Sequence, residues 1–264
     1  MRKIWILVIP GGLLFSCRNG PDNGEEVSLL NYSVTKVYPH DTTSFTEGFL
    51  VHDGELYEST GHTDQIAGSH SLFGVVNRTT GKIQPKVKLD DSKYFGEGIT
   101  FLHDKVYQLT YTTRVGFVYD AKTFVKLGEF RFPGKEGWGM TTDGTWLILS
   151  DGSSSLYYLD PVSFRLVKTL RVTDGGAAAD NLNELEFIHG ALYANRYTHN
   201  YILRIDTADG KVLAKADLSS LDNAARIKYP GALEMNGIAY DSVQDKIYIT
   251  GKLWPDIYEI NFPH

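Results

Sequence analysis

The sequence predicts an all-β chain folded as a five-bladed β-propeller with four-stranded blades, and three observations carry that expectation. A strand–turn–strand unit occurs five times. A second marker, an apolar residue followed by Asn or Asp and a turn, recurs with nearly the same spacing. One strand near the N-terminus has no blade of its own, while the last unit is one strand short.

The chain opens on a targeting signal: a basic Met1-Arg2-Lys3, an apolar run from Ile4 to Phe15, and Ser16 before Cys17. That run is too short for the ~20 residues a membrane span needs, so residues 1–17 read as a secretory signal peptide. Leu14-Phe15-Ser16-Cys17 resembles a bacterial lipobox, which makes Cys17 the expected lipidation site and the chain an exported lipoprotein, periplasmic or held at the outer membrane. Residues 18–28 are polar and read as a tether; residues 29–264 read as the propeller.

Asn31 to Tyr38 has the pattern of a strand. The repeats follow. Glu47 to Tyr57 aligns with Glu97 to Tyr107, then with Gly139 to Leu147, Glu186 to Tyr193 and Asn236 to Tyr248. Taking Tyr57, Tyr107, Leu147, Tyr193 and Tyr248 as equivalent, the intervals are 50, 40, 46 and 55 residues. The second marker (Asn77, Asp120, Asp160, Asp206, Asn261) gives 43, 40, 46 and 55, so two independent features share a period close to that of propeller blades. Four markers precede another short strand, as at Lys126–Phe132 and Leu166–Val172, which makes four strands per unit. The surplus N-terminal strand is therefore expected to pair near Ile257 to Asn261 and close the last blade, removing a free edge. Ser219 to Ile227 is the one expected helix.

Composition removes several function classes. With 26 basic against 32 acidic residues the formal charge is −6, opposite to what phosphate neutralisation requires, so nucleic acid is not an expected partner. A single cysteine makes neither an intrachain disulfide nor a zinc ribbon. No P-loop, His-Glu-x-x-His helix, Gly-x-Ser-x-Gly elbow or dinucleotide fingerprint occurs.

Propellers bind ligands where the innermost strands begin. The segments entering those strands hold Phe45-Thr46-Glu47, Phe95-Gly96-Glu97, Gly137-Trp138-Gly139, Asn183-Glu184-Leu185-Glu186 and Glu234-Met235-Asn236. Several carboxylates on one axis repel unless a cation, a proton or an amine sits among them. Tyr111 and Tyr197 fall at the far ends of second strands, where a blade core does not need them. The expectation is a partly aromatic pocket around acids.

In order along the chain, Phe45-Thr46-Glu47-Gly48, Phe95-Gly96-Glu97-Gly98-Ile99-Thr100, Gly137-Trp138-Gly139-Met140-Thr141-Thr142, Leu182-Asn183-Glu184-Leu185-Glu186, Leu233-Glu234-Met235-Asn236-Gly237 and Thr250-Gly251-Lys252-Leu253-Trp254-Pro255 resemble the plant and bacterial glutaminyl cyclases, over about residues 32 to 260. The resemblance implies a five-bladed propeller that cyclises an N-terminal glutamine to pyroglutamate with loss of ammonia. It implies Glu97 as catalytic acid and base, with Phe45, Glu47, Phe95, Tyr111, Trp138, Asn183, Tyr197 and Lys252 around the substrate. It requires no cofactor, though a structural divalent cation in the channel is compatible with it. Peptides with N-terminal glutamine are the implied partners of a monomer that meets a membrane only through its lipid anchor. Three positions depart from the family: Glu47 stands where Gln is common, and Tyr111 and Tyr197 where Trp is common. The competing readings are a non-catalytic periplasmic binding or scaffold propeller, since fold alone settles no function, and a hydrolase using a channel metal.

Overall fold

The computed structural model describes residues 27–264. The signal peptide, Cys17 and nearly all of the polar tether lie outside the described residues. Five four-stranded antiparallel sheets surround a central channel. Blade 1 is built from Thr46–His52, Glu55–Thr60, Leu72–Val76 and Ile83–Lys88, and blade 2 from Gly96–Leu102, Lys105–Thr110, Val115–Asp120 and Lys126–Arg131. Blade 3 comprises Met140–Thr142, Leu147–Ser150, Ser155–Leu159 and Leu166–Arg171; blade 4 comprises Leu182–Ile188, Ala191–Arg196, Tyr201–Asp206 and Val212–Asp217.

Blade 5 takes three strands from the end of the chain, Met235–Asp241, Lys246–Gly251 and Asp256–Asn261, and its outermost strand from Ser33–Pro39. Ser33 pairs with Asn261 and Tyr38 with Ile257, so the N-terminal strand closes the ring as its surplus implied. Beyond the expected pattern, Ser28–Leu29 adds a short parallel strand to Val212–Asp217, and Val27 packs against the core between blades 3 and 4. The propeller thus begins at the last residues of the segment read as tether. A small hairpin, Thr173–Asp174 with Ala177–Ala178, and the helix Ser219–Lys228 complete the described chain.

The two repeat markers have local causes. In the turn between first and second strands, Asp53, His103, His189 and Asp245 share left-handed backbone, with φ of 50°, 55°, 46° and 54°. Tight hairpins of this kind need that conformation, and Asp and His tolerate it better than branched residues do. In the second marker, the side chains of Asn77, Asp120, Asp160 and Asp206 accept the backbone N–H two residues on and reverse the chain.

The core lies between blades, not at one centre. Between blades 4 and 5 it contains Tyr193, Ile202, Met235, Ile249 and the fully buried Trp254; between blades 1 and 2 it contains Phe73, Ile99, Val106 and Phe117. Alternating apolar residues on each strand produce these sandwiches, as period-two patterning requires. A buried His40–Glu58 pair ties the closing strand to blade 1. His40 Nε2 stands 3.1 Å from both Glu58 oxygens, and its Nδ1 lies 2.7 Å from the carbonyl of Trp254. Burial works against the imidazolium, but the Glu58 carboxylate outweighs it and raises the His40 pKa.

Candidate active site

At the mouth where the innermost strands begin, a cavity of about 220 Å³ is lined by Phe45, Glu47, Phe95, Glu97, Tyr111, Trp138, Asn183, Tyr197 and Lys252. All five blades contribute. Four of the innermost strands break register near their starts: between Thr46 and Gly48, Gly96 and Ile99, Leu182 and Leu185, and Met235 and Ile238. A bulge at such a point re-aims a side chain, and Glu47, Glu97 and Asn183 each sit in one. The glycine after each glutamate has its own reason. A Cβ on Gly98 would stand 2.5 Å from the Met140 nitrogen, and one on Gly48 2.8 Å from the Ile99 nitrogen. Glycine lets neighbouring inner strands touch backbone to backbone, which draws the two carboxylates toward one axis.

In three blades the residue after the second strand completes the rim. Tyr111, Tyr197 and Lys252 occupy that position in blades 2, 4 and 5. Phe45 meets Phe95 edge-on at 5.8 Å between centroids, Phe95 continues to Tyr111 at 5.9 Å, and Trp138 meets Tyr197 edge-on at 5.7 Å. The Lys252 ammonium lies over the rings of Phe45 at 4.5 Å and Tyr197 at 5.6 Å, close enough for cation–π attraction.

The electrostatics are set by burial. Lys252 Nζ donates to Glu47 Oε1 at 2.6 Å, and the other Glu47 oxygen accepts from Asn236 Nδ2 at 3.2 Å. Burial pushes the Glu47 carboxyl up to about 7 against the pull of Lys252. Burial and then the charge of Glu47 raise Glu97 well above the ordinary carboxylate range, with Lys252 opposing. Burial also works against the charge of Lys252, yet Glu47 and Glu97 together hold its pKa above the usual value. The amine that acids on one axis require is therefore Lys252. The Glu97 carboxyl accepts no hydrogen bond from the described residues, and the buried Asn183 Oδ1 likewise has no partner among them. A carboxyl and an amide oxygen thus face the cavity without protein partners.

Glu184 and Glu186 lie deeper in the channel. Glu184 accepts backbone N–H from Phe49 at 3.2 Å and Ile238 at 2.8 Å; Glu186 accepts from Tyr240 N–H at 2.9 Å and the Thr141 hydroxyl at 3.3 Å. Burial pushes Glu186 up to about 8 and carries Glu184 well above its ordinary value. Backbone donors from blades 1 and 5 staple these two acids into the ring.

Of two supporting residues, Glu136 escaped the sequence reading, and Asn236 was singled out only as part of a strand start. Glu136 accepts the Trp138 indole N–H at 2.9 Å and hydrogen-bonds Tyr111, whose phenol is pushed up to about 12 by burial and by Glu136. Asn236 also bonds the Thr46 carbonyl at 2.9 Å, holding the Glu47 strand start. Glu136 stands two residues before a tryptophan on a loop, a spacing with no signal of its own; only the fold reveals its second partner.

The chain is similar to known proteins along nearly its whole length. The glutamine cyclotransferase family matches residues 10–262. The glutaminyl-peptide cyclotransferase of Arabidopsis thaliana is 38% identical over 274 residues, which cover 98% of this chain and 84% of that protein. The crystal structure of the Myxococcus xanthus glutaminyl cyclase superposes with a TM-score of 0.80 at 31% identity, covering 90% of this chain and 98% of the other.

Proposed function

The chain belongs to the glutamine cyclotransferase family, and from that membership we propose a mechanism in which Glu97 is the single proton carrier for cyclisation of an N-terminal glutamine. The α-amine attacks its own side-chain amide carbon, a C–N bond forms and the amide oxygen becomes an oxyanion. The new ring nitrogen carries a surplus proton, which Glu97 takes as carboxylate. The C–N bond to the original amide nitrogen then breaks, and Glu97 returns the proton so that ammonia departs. One group serves both steps because its pKa lies above the ordinary carboxylate range, nearer to the working pH.

The other residues orient and shield. Asn183, buried with an unengaged Oδ1, accepts an N–H of the substrate glutamine. Lys252 supplies positive charge beside the developing oxyanion while Glu47 holds it in place. The rings of Phe45, Phe95, Tyr111, Trp138 and Tyr197 wall the cavity, so an intramolecular ring closure that depends on orientation proceeds away from bulk water. The observation that carries this reading is a buried carboxyl, free of protein donors, facing the same cavity as a buried unpartnered amide oxygen. Ammonia release from a peptide with free N-terminal glutamine, compared with its N-acetylated form, tests it: the reading requires turnover of the first only, lost in Glu97→Gln. The proposal extends to location. Acylation of Cys17 would hold the enzyme on an exported membrane face, where peptide N-termini reach it.

A further inference from the structure

Away from the cavity, three side chains from three separate segments converge. His189 belongs to the first hairpin turn of blade 4, Asp245 to the equivalent turn of blade 5, and His264 follows the last strand of blade 5. These turns lie at the ends of the inner strands far from the cavity. One donor atom from each of the three side chains falls within 4.8 Å of the others. Asp245 Oδ1 is 2.9 Å from His264 Nε2 and 3.7 Å from His189 Nε2, and the two imidazoles stack at 5.2 Å.

The tautomer of His264 gives the cluster its meaning. Its Nδ1 lies 2.7 Å from the Phe262 carbonyl oxygen, which has no hydrogen to offer, so Nδ1 carries the proton. In the neutral ring Nε2 then presents a lone pair, and that lone pair faces a carboxylate oxygen. Two acceptors at 2.9 Å repel unless a positive centre stands between them. An imidazole fixed through its other nitrogen by a backbone carbonyl is the arrangement that orients histidine ligands in metal sites. The Tyr240 hydroxyl donates to Asp245 Oδ1 at 2.8 Å and stands 2.7 Å from His189 Nε2, holding both turns in register. One proton on Nε2 would make the His264–Asp245 contact an ion pair; a metal ion would engage donor atoms of all three side chains together.

We propose that His189, Asp245 and His264 form a binding site for one divalent transition-metal ion of the zinc type, joining the blade 4 and blade 5 turns to the segment that follows the last strand. Two imidazoles with one carboxylate suit zinc and its neighbours and not calcium or magnesium, which prefer all-oxygen shells. Three protein ligands leave a fourth position for water. The site ties blade 5, the blade closed by the N-terminal strand, to its neighbour.

The test uses the untagged full chain, stripped with a chelator and titrated with Zn2+ near neutral pH by calorimetry, alongside His189→Ala, His264→Ala and Asp245→Asn. The expected result is one Zn2+ per parent chain, affinity lower by about tenfold or more in each variant, and a Zn2+-dependent rise in melting temperature seen in the parent alone. Ammonia release by the variants stays at the parental level, which shows that they are folded. The inference is overturned if the parent binds no Zn2+ at micromolar concentrations, or if the variants bind it as tightly as the parent does.

Discussion

Replacing Glu97 by Gln separates chemistry from architecture at the candidate site. The amide matches the carboxyl in size, so the cavity keeps its shape, but it carries no transferable proton. Proton transfer by a positioned side chain typically contributes ~10² to 10⁴ in rate, so kcat should fall by about that factor, equivalent to about 2.7–5.4 kcal/mol of barrier, with KM changed little. Stability should move the other way. Burial and Glu47 raise the folded pKa of Glu97 above its ordinary 4.5, so between those values the folded state holds a proton that the unfolded chain has released. The contribution of this group to stability is therefore greatest below 4.5 and declines as pH rises toward the folded value. Gln undergoes no such decline. Thermal unfolding followed across pH should show parent and variant alike in acid and the variant more stable at mildly alkaline pH. Activity within about threefold of the parent, or a lost activity accompanied by a lower melting temperature at every pH, would refute the reasoning.

Four further outcomes are expected. Glu47→Gln removes the nearby carboxylate whose charge helps to raise Glu97, so most activity should remain while the acidic limb of the pH–rate profile moves to lower pH. His40→Ala leaves buried Glu58 without its cationic partner, with only the Thr46 hydroxyl still donating to it, and should cost roughly 3–5 kcal/mol in urea unfolding, partly recovered when Glu58→Gln is added. Glu186→Gln removes a carboxyl pushed from 4.5 up to about 8; above that pH it should stabilise the fold by a few kcal/mol, and below 4.5 by almost nothing, measured by the same unfolding. Cys17→Ser should shift the protein from membrane to soluble fractions on cell fractionation with turnover unaltered, and retention on the membrane would exclude the anchor.

Blade number, blade order and strand count were legible without coordinates because their causes are local. Alternating apolar residues mark each strand, left-handed Asp and His mark the first turn, and Asn or Asp capping the next backbone N–H marks another. Closure was legible by subtraction, since one missing and one surplus strand can satisfy only each other. The same locality hid the parallel Ser28–Leu29 strand, whose two residues have no pattern of their own and are held by the edge of a blade nearly two hundred residues away. At the mouth, the sequence drew the nine lining residues together through the blade rule and the family likeness, but neither could state what each one touches. That Lys252 reaches Glu47, that Glu136 holds both Trp138 and Tyr111, and that Glu97 is left without a donor depend on side chains from different blades meeting at one axis. The raised pKa of Glu97 follows from that meeting, because desolvation and field strength are properties of the assembled ring, whereas turns and strand periodicity belong to the chain itself.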